Sequence, residues 1–536
     1  MSVMRFSLLA VLVTVAMATN AHSAVSTSSV TVTDEGDGVI NDSLCTLREA
    51  ITAADSQASS NGCVFSGSGS PTTIAFAIPG SGVHEIDVAS RLPAITTPVV
   101  LDGLTQSGAD CTAWPPTLQI QISNPTNGQY NGLTLDTGSD GSTVRGLIIN
   151  GFNNNVGYAY NFNAAINIHS SDGNYIQCNF LGTDATGSSN MANLRGVDIN
   201  SASNNVIGSD GTARAYFARN LISGNQFGQV DTRGNALSGN RISGNFIGTD
   251  ATGTAAMSNQ PGGGVDISAN PGPASGNFIG WDGIGDPALM RNIISGFTSS
   301  SYAAVTMVVG AQGNHVSGNF IGTDVTGSVA IPNFFGVALG SNSSVYNNII
   351  GNDGTQDAAS ARNVISGNSF AGVDINAANG THDNAVIGNY IGMNAAGKAP
   401  LGNGSYGLSM DYSAASTLVA GNWFAGQATA IRFFGSGSFG GSATAAFINN
   451  ASASNANLPA LDSSDNCLLA TTGVLVYAQG ATVPSPNTFA NNWWGASAGP
   501  NANGASTADG SISATPYLTD PATICSDVIF RDGFEG

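Results

Sequence analysis

The chain predicts an all-β solenoid, a parallel β-helix, from a repeated phrase, a shorter period hidden inside it, and turn residues at each strand boundary. The phrase occurs four times, as Cys178-Asn-Phe-Leu-Gly-Thr-Asp184, Gly244-Asn-Phe-Ile-Gly-Thr-Asp250, Gly318-Asn-Phe-Ile-Gly-Thr-Asp324 and Gly388-Asn-Tyr-Ile-Gly-Met-Asn394. Its aromatic residues Phe180, Phe246, Phe320 and Tyr390 are spaced by 66, 74 and 70 residues, which is long for one unit of a repeat protein. A second phrase, a small residue followed by apolar, polar, apolar, begins at Gly132, Ala165, Gly196, Gly228, Gly264, Ala304, Gly336, Gly372 and Gly407. These starts divide 275 residues into eight steps of about 34, with the Gly228 copy (Gly-Gln-Val-Asp) the poorest match. The unit is therefore about 34 residues, in two alternating flavours.

Within the unit that begins at Gly196, three strand-like pieces follow in order: Gly196-Val-Asp-Ile199, Asn204-Asn-Val-Ile-Gly208 and Asn220-Leu-Ile-Ser-Gly-Asn225. Each is too short for a helix and is bounded by Gly, Asn or Ser, residues that accept the backbone angles of tight turns. Three strands and three turns make one coil, and stacked coils place each strand on its counterpart about 4.8 Å further along the axis. Period-2 alternation points Val197 and Ile199 inward and Asp198 outward. The recurring Asn residues at strand ends are expected to stack as ladders that satisfy turn amides and carbonyls. Turns such as Thr183-Asp-Ala-Thr186, Thr249-Asp-Ala-Thr252 and Thr323-Asp-Val-Thr326 fall only on every second coil, so they read as polar loops and not as a flat threonine lattice.

Composition agrees with thin strands and tight bends: 70 glycines in 536 residues, 14 Lys plus Arg, and 9% charged residues. The net charge of −20 argues against nucleic acid and anionic membrane surfaces as partners. It also disfavours tight binding of an acidic polysaccharide without a bridging metal. No apolar run beyond the N-terminus approaches the roughly 20 residues that span a bilayer. Residues 1–23 read as a secretory signal, with Arg5, the apolar Phe6–Ala18 and the small residues Ala21-His22-Ser23. No lipid-attachment cysteine, translocating barrel or terminal anchor is expected, so the reading is a secreted or cell-surface protein. Six cysteines bound for an oxidising compartment fit disulfides. Cys45 with Cys63 and Cys467 with Cys525 are the sequence-near pairs; Cys178 is either a buried thiol or the partner of Cys111.

An open solenoid end exposes apolar core, so a cap is expected. Residues Ser43–Asp55 supply a helix with Leu47, Ile51 and Ala54 on one face. There, Cys45-Thr-Leu-Arg-Glu-Ala50 resembles the Cys-Ser-Leu-Arg-Glu-Ala (CSLREA) signature at the N-terminus of secreted bacterial β-helix proteins, departing at Thr46. The repeats resemble the right-handed, single-stranded parallel β-helix repeat family. Asn491-Asn-Trp-Trp-Gly-Ala-Ser-Ala-Gly-Pro500 is similar to a phrase near the ends of such proteins. The resemblance implies a division into a signal (1–23), a CSLREA-type cap with first coils (24–110), β-helix repeats (111–426), degenerate closing coils (427–510) and a tail (511–536). It implies fold strongly and activity weakly, because the architecture hosts lyases, hydrolases, epimerases, tailspikes and adhesins.

Candidate functional residues are few. Asn167, Asp198, Asp266, Thr306 and Asp374 fall in one outward column with Thr134, Ala338 and Ser409. Uncharged positions are expected to separate its carboxylates, which keeps them out of metal-ligand reach. Arg219, Arg291 and Arg362 each precede an Asn-x-Ile-Ser phrase and read as part of the repeat. The histidines are scattered without metal-ligand spacing, and Asp34-Glu-Gly-Asp-Gly38 with Asp42 reads as an exposed acidic turn. Trp493 and Trp494 are expected to cover the open end of the apolar stack, with sugar stacking as the other reading. The expectation is a non-catalytic scaffold that binds a polysaccharide or cell-surface glycan, with no cofactor and no metal. The alternative is a polysaccharide lyase or glycoside hydrolase, and Ca²⁺ enters only under the lyase reading.

Overall fold

A computed structural model describes residues 28–154, 163–214, 217–257, 261–340, 345–352, 354, 357–376, 381–411, 417–435, 466–469, 472–478, 492–494, 496–502, 507–508 and 517–520. The expected signal segment, Cys525 and most of the tail lie outside these residues.

The chain is a right-handed parallel β-helix with three long sheets of 13, 12 and 12 strands. One coil shows the plan: Arg195–Asn200 lies in sheet one, Val206–Gly208 in sheet two and Leu221–Ile222 in sheet three, and Gly228–Arg233 returns to sheet one. Neighbours in sheet one pair in parallel and in register, Val197 opposite Val230 and Ile166. Val197, Ile199, Ile207, Ile222 and their counterparts are fully buried and form one continuous inner stack. Burying a branched aliphatic side chain contributes roughly 1.5–3 kcal/mol, so the stack is the main stabilising element.

The two flavours differ in where they bulge. Coils carrying the Asn-Phe-Ile-Gly-Thr-Asp phrase place Phe246–Ile247 or its equivalent in sheet three and follow it with a long corner. The Asp closes that corner itself: the Asp250 carboxylate accepts from the Thr252 hydroxyl and from the Thr254 and Ala255 amides. These corners stack on one another across the intervening coil, Ala251 N donating to Gly187 O and Val325 N to Gly253 O. The other flavour carries its long segment between sheets two and three, ending in Arg219, Arg291 and Arg362.

The asparagines form the expected ladders. Asn179, Asn220, Asn245, Asn292, Asn319 and Asn363 are all fully buried. Each Nδ2 in this run donates to the Oδ1 of the next coil's Asn. Their remaining N–H groups reach strand carbonyls, as Asn220 Nδ2 does to Ile176 O. Buried corner amides that would otherwise be orphaned are thereby paired.

At the N-terminal end the helix spans Leu47–Ser56, four residues shorter at its start than expected, because Thr46 is its N-cap. Thr46 and Glu49 form a capping box, and Glu49 also accepts from the Ile40 amide. Each residue of Cys45-Thr-Leu-Arg-Glu-Ala50 thus has a task. Cys45 is bridged to Cys63, Leu47 and Ala50 enter the core, and Arg48 ties Asp37 to the carbonyls of Ser90 and Arg91. Leu47, Ile51 and Ala54 join Val30, Ile74 and Phe76 of the first coils in the inner stack.

Cys178 is bridged to Cys111, which resolves the choice between thiol and disulfide. Cys467 is also disulfide-bonded, while its expected partner Cys525 falls outside the described residues. No helix among the described residues is long and apolar enough to cross a membrane.

Candidate functional site

The outer face of sheet one holds the densest chemistry. Pairing in register builds one column, Thr134, Asn167, Asp198, Asp231, Asp266, Thr306, Ala338, Asp374 and Ser409. Asp231 corrects the sequence-based alignment and overturns the expected separation of the carboxylates. Gly228 lies opposite Arg195 and not opposite Gly196, so its coil is offset by one residue. Gln229 then turns inward, where its side chain takes the amide and Nδ2 bonds of Asn225. Three aspartates consequently occupy successive coils, about 4.8 Å apart along the axis. Asp374 is separated from them by Thr306 and Ala338.

The three carboxylates are not equivalent. Asp198 is 1% exposed and takes both Nε and Nη2 of Arg233, so it is neither solvated nor alone. Asp231 accepts from Arg195 Nε at 2.6 Å, and burial, followed by the charge of Asp198, still pushes its carboxyl above the usual range. A Cβ on Gly228 would sit 2.0 Å from Asp231 Oδ1, so only glycine leaves room for this carboxylate. Among the described residues Asp266 bonds no arginine; burial and the neighbouring Asp231 charge raise it to about 7, against a hydrogen bond from Ser268 and the charge of Arg195. The column therefore combines two arginine-held carboxyl groups, Asp198 and Asp231, with one, Asp266, able to give or take a proton near neutral pH. Upstream, the buried Oδ1 of Asn167 has no hydrogen-bond partner.

A row of rings follows the edge of this sheet, one turn before the column. Phe227 packs edge-on to Tyr302 and carries the Arg195 guanidinium at 4.6 Å. Further along, Phe334 stacks on Phe370 with ring centres 5.2 Å apart, Phe335 meets Phe370 edge-on, and Tyr406 continues the row. These rings are half-buried, and Phe227 is 37% exposed. Each lies one or two residues before the small residue that opens a unit, as Phe227 before Gly228, Tyr302 before Ala304, Phe335 before Gly336, Phe370 before Gly372 and Tyr406 before Gly407.

Other expected residues fall elsewhere. Trp494 is fully buried in the inner stack and has no free ring face for a sugar. Trp493 is half-buried, pairs with Cys467 by a parallel bridge and packs on the outer apolar cluster of sheet three. Both lie at the closing end, far along the axis from the aspartates. His84 bonds Glu35, His169 bonds Asp136 and His382 bonds Asp383, so these rings serve local pairs. Asp37 and Asp42 of the acidic N-terminal turn are engaged by Arg48 and the Leu44 amide. No group of three His, Cys, Asp or Glu among the described residues is arranged to hold a metal ion.

No protein-family model and no curated protein matches the chain. Among solved structures, tailspike protein 3 of Bacteriophage CBA120 is similar at 14% identity and TM-score 0.26, over 68% of this chain and 53% of the tailspike. The chain thus spans about half of that tailspike's length. The A-module of a mannuronan C-5 epimerase from Azotobacter vinelandii is similar at 14% identity and TM-score 0.27, over 84% of this chain and 98% of the module. Likeness at these scores carries no weight for activity.

Proposed function

We propose that the protein is an exported bacterial β-helix of the CSLREA-headed type that binds a glycan along the outer face of sheet one. The observation that carries this reading is the run of half-buried rings beside a column of carboxylates, both extending along the solenoid axis. Ring faces suit the apolar faces of sugars, and Asp266, the half-buried member of the carboxylate run, can bond a sugar hydroxyl. The net charge of −20 favours a neutral or amino glycan at this face. Disulfides fit an oxidising compartment, in keeping with export. Affinity electrophoresis of the mature protein against neutral and amino polysaccharides tests it. At least one gel should retard the wild type, and Tyr302→Ala with Phe370→Ala should abolish the retardation. Free migration in every gel overturns the reading.

A second reading, glycan cleavage, is favoured by Asp266 alone, whose carboxyl near 7 can give a proton near neutral pH as a general acid requires. New reducing ends after incubation without Ca²⁺, lost in Asp266→Asn, would establish hydrolysis. Unsaturated products that require Ca²⁺ would point instead to a lyase, and an absence of both leaves binding as the activity.

A further inference from the structure

We propose a second, separate binding stripe at the corner between sheets two and three: Arg219, Arg291 and Arg362 take an extended acidic polysaccharide bearing one anionic group per disaccharide. The stripe is built by the alternation of coil flavours. Each arginine immediately precedes a rung of the long Asn ladder, and each guanidinium reaches over the aromatic residue of the following coil. Arg219 lies 4.1 Å from the Phe246 ring centre, Arg291 4.4 Å from Phe320 and Arg362 4.2 Å from Tyr390. Trp114 covers Arg219 from a second side at 5.2 Å.

These cations lack the partners that arginines have elsewhere in the chain. Arg48, Arg145, Arg195, Arg214, Arg233 and Arg241 all hold an aspartate. Among the described residues, none of the three stripe arginines makes an ion pair. Arg219 Nε donates to Gly244 O and Arg291 Nε to Gly318 O, while Arg362 Nε is buried and bonds nothing. Among the described residues, their η nitrogens bond no protein atom. Burial alone pulls Arg219 down to about 10 and lowers Arg291, with no nearby carboxylate opposing it. A half-buried guanidinium stacked on a ring and left without a counter-ion among the described residues is a preorganised anion site, because the ring fixes its plane.

Spacing selects the ligand class. The arginines recur every second coil, so the cations repeat about every 9.6 Å along the axis, twice the strand spacing. That matches an anion on every second sugar of an extended glycan. The net charge of −20 opposes every acidic ligand, most of all a nucleic acid strand with phosphates about every 3.4 Å and less a glycan with one anion per disaccharide, so binding here rests on the local arginines against the overall charge. The stripe and the carboxylate column lie on different sheets, so this proposal does not depend on the reading of sheet one.

The test is a binding titration at low ionic strength with hyaluronan oligosaccharides, which carry one carboxylate per disaccharide. The wild type should bind, and Arg219→Gln, Arg291→Gln and Arg362→Gln should each weaken binding about tenfold, as expected for loss of one charge-assisted contact. Arg362→Gln is the decisive variant, since among the described residues the Arg362 side chain makes no hydrogen bond whose loss could unfold a corner, and its melting curve serves as the control. Tyr302→Ala and Phe370→Ala should leave hyaluronan binding unchanged, which separates this stripe from sheet one. No binding by the wild type, or undiminished binding by a folded Arg362→Gln, overturns the proposal. Equal or tighter binding of polygalacturonate or single-stranded DNA overturns the spacing argument and with it the assigned ligand.

Discussion

Two outward columns run along this solenoid, and they handle charge in opposite ways. On sheet one, Asp198, Asp231 and Asp266 occupy consecutive coils, where burial first and the charge of the neighbouring aspartate after it raise the proton affinity of Asp231 and Asp266. At the corner before sheet three, Arg219, Arg291 and Arg362 occupy alternate coils, so each cation is separated from the next and rests on a ring instead of an acid. A solenoid thus sets the interaction between like charges by the period at which a residue recurs. A period of one coil adds repulsion between neighbours to the effect of burial, and a period of two leaves burial acting alone.

Removing what lies beneath each column gives the largest effects. Phe246→Ala takes away a fully buried ring under Arg219 and should destabilise the protein by about 3–5 kcal/mol in urea unfolding, without altering the acid column. A cost below about 1 kcal/mol would mean that the outer apolar row does not support the stripe. On the acid side, Asp231→Asn leaves Arg195 buried without its carboxylate. About 3 kcal/mol should be lost, the low end for breaking a buried pair, because repulsion from Asp198 is relieved at the same time. The same substitution should lower the Asp266 pKa, followed by carboxyl carbon NMR; an unmoved resonance would show that the two groups do not communicate.

Gly228→Ala is a finer probe of the offset coil. The added methyl meets the Asp231 carboxylate, so a loss of about 1–3 kcal/mol is expected, whereas a neutral effect would contradict the close approach of these residues. The last probe is a pH dependence. Asp266 is raised to about 7 when folded, so the native state binds more protons than the unfolded state between the ordinary carboxylate range and 7. Stability from this group is present at low pH, falls as pH rises toward 7 and is flat above it. Thermal melting from pH 5 to 8 should show a decline in Tm that Asp266→Asn flattens; an identical decline in the variant would assign the titration to another group.

Much of the fold was legible because a repeat multiplies weak local signals. Val197 and Ile199 inward, Asp198 outward and asparagines stacked at the bends all follow from alternation and turn chemistry repeated every 34 residues or so. The capping helix was legible from Leu47, Ile51 and Ala54, although Thr46 and its box with Glu49 set the true start. The candidate site was legible only in part. Anchoring each unit on its glycine misaligned the Gly228 coil, where Gln229 fills the small-residue position, and so hid Asp231 between Asp198 and Asp266. Aligning instead on Val197, Val230 and Val265 would have revealed the run of carboxylates, since the inward apolar residues are the ones that stacking holds in register.

By itself the sequence determined the solenoid, its period, its cap and the identity of its ladder residues, because each depends on local backbone preference and on burial repeated at a fixed interval. Only the tertiary structure decided which residues of different coils become neighbours. Register there is set by the packed inner stack, and a one-residue offset on the outside costs little when glutamine can occupy the corner. That freedom brought three carboxylates together on sheet one, and the alternation of corner lengths placed three arginines on the rings of the next coils.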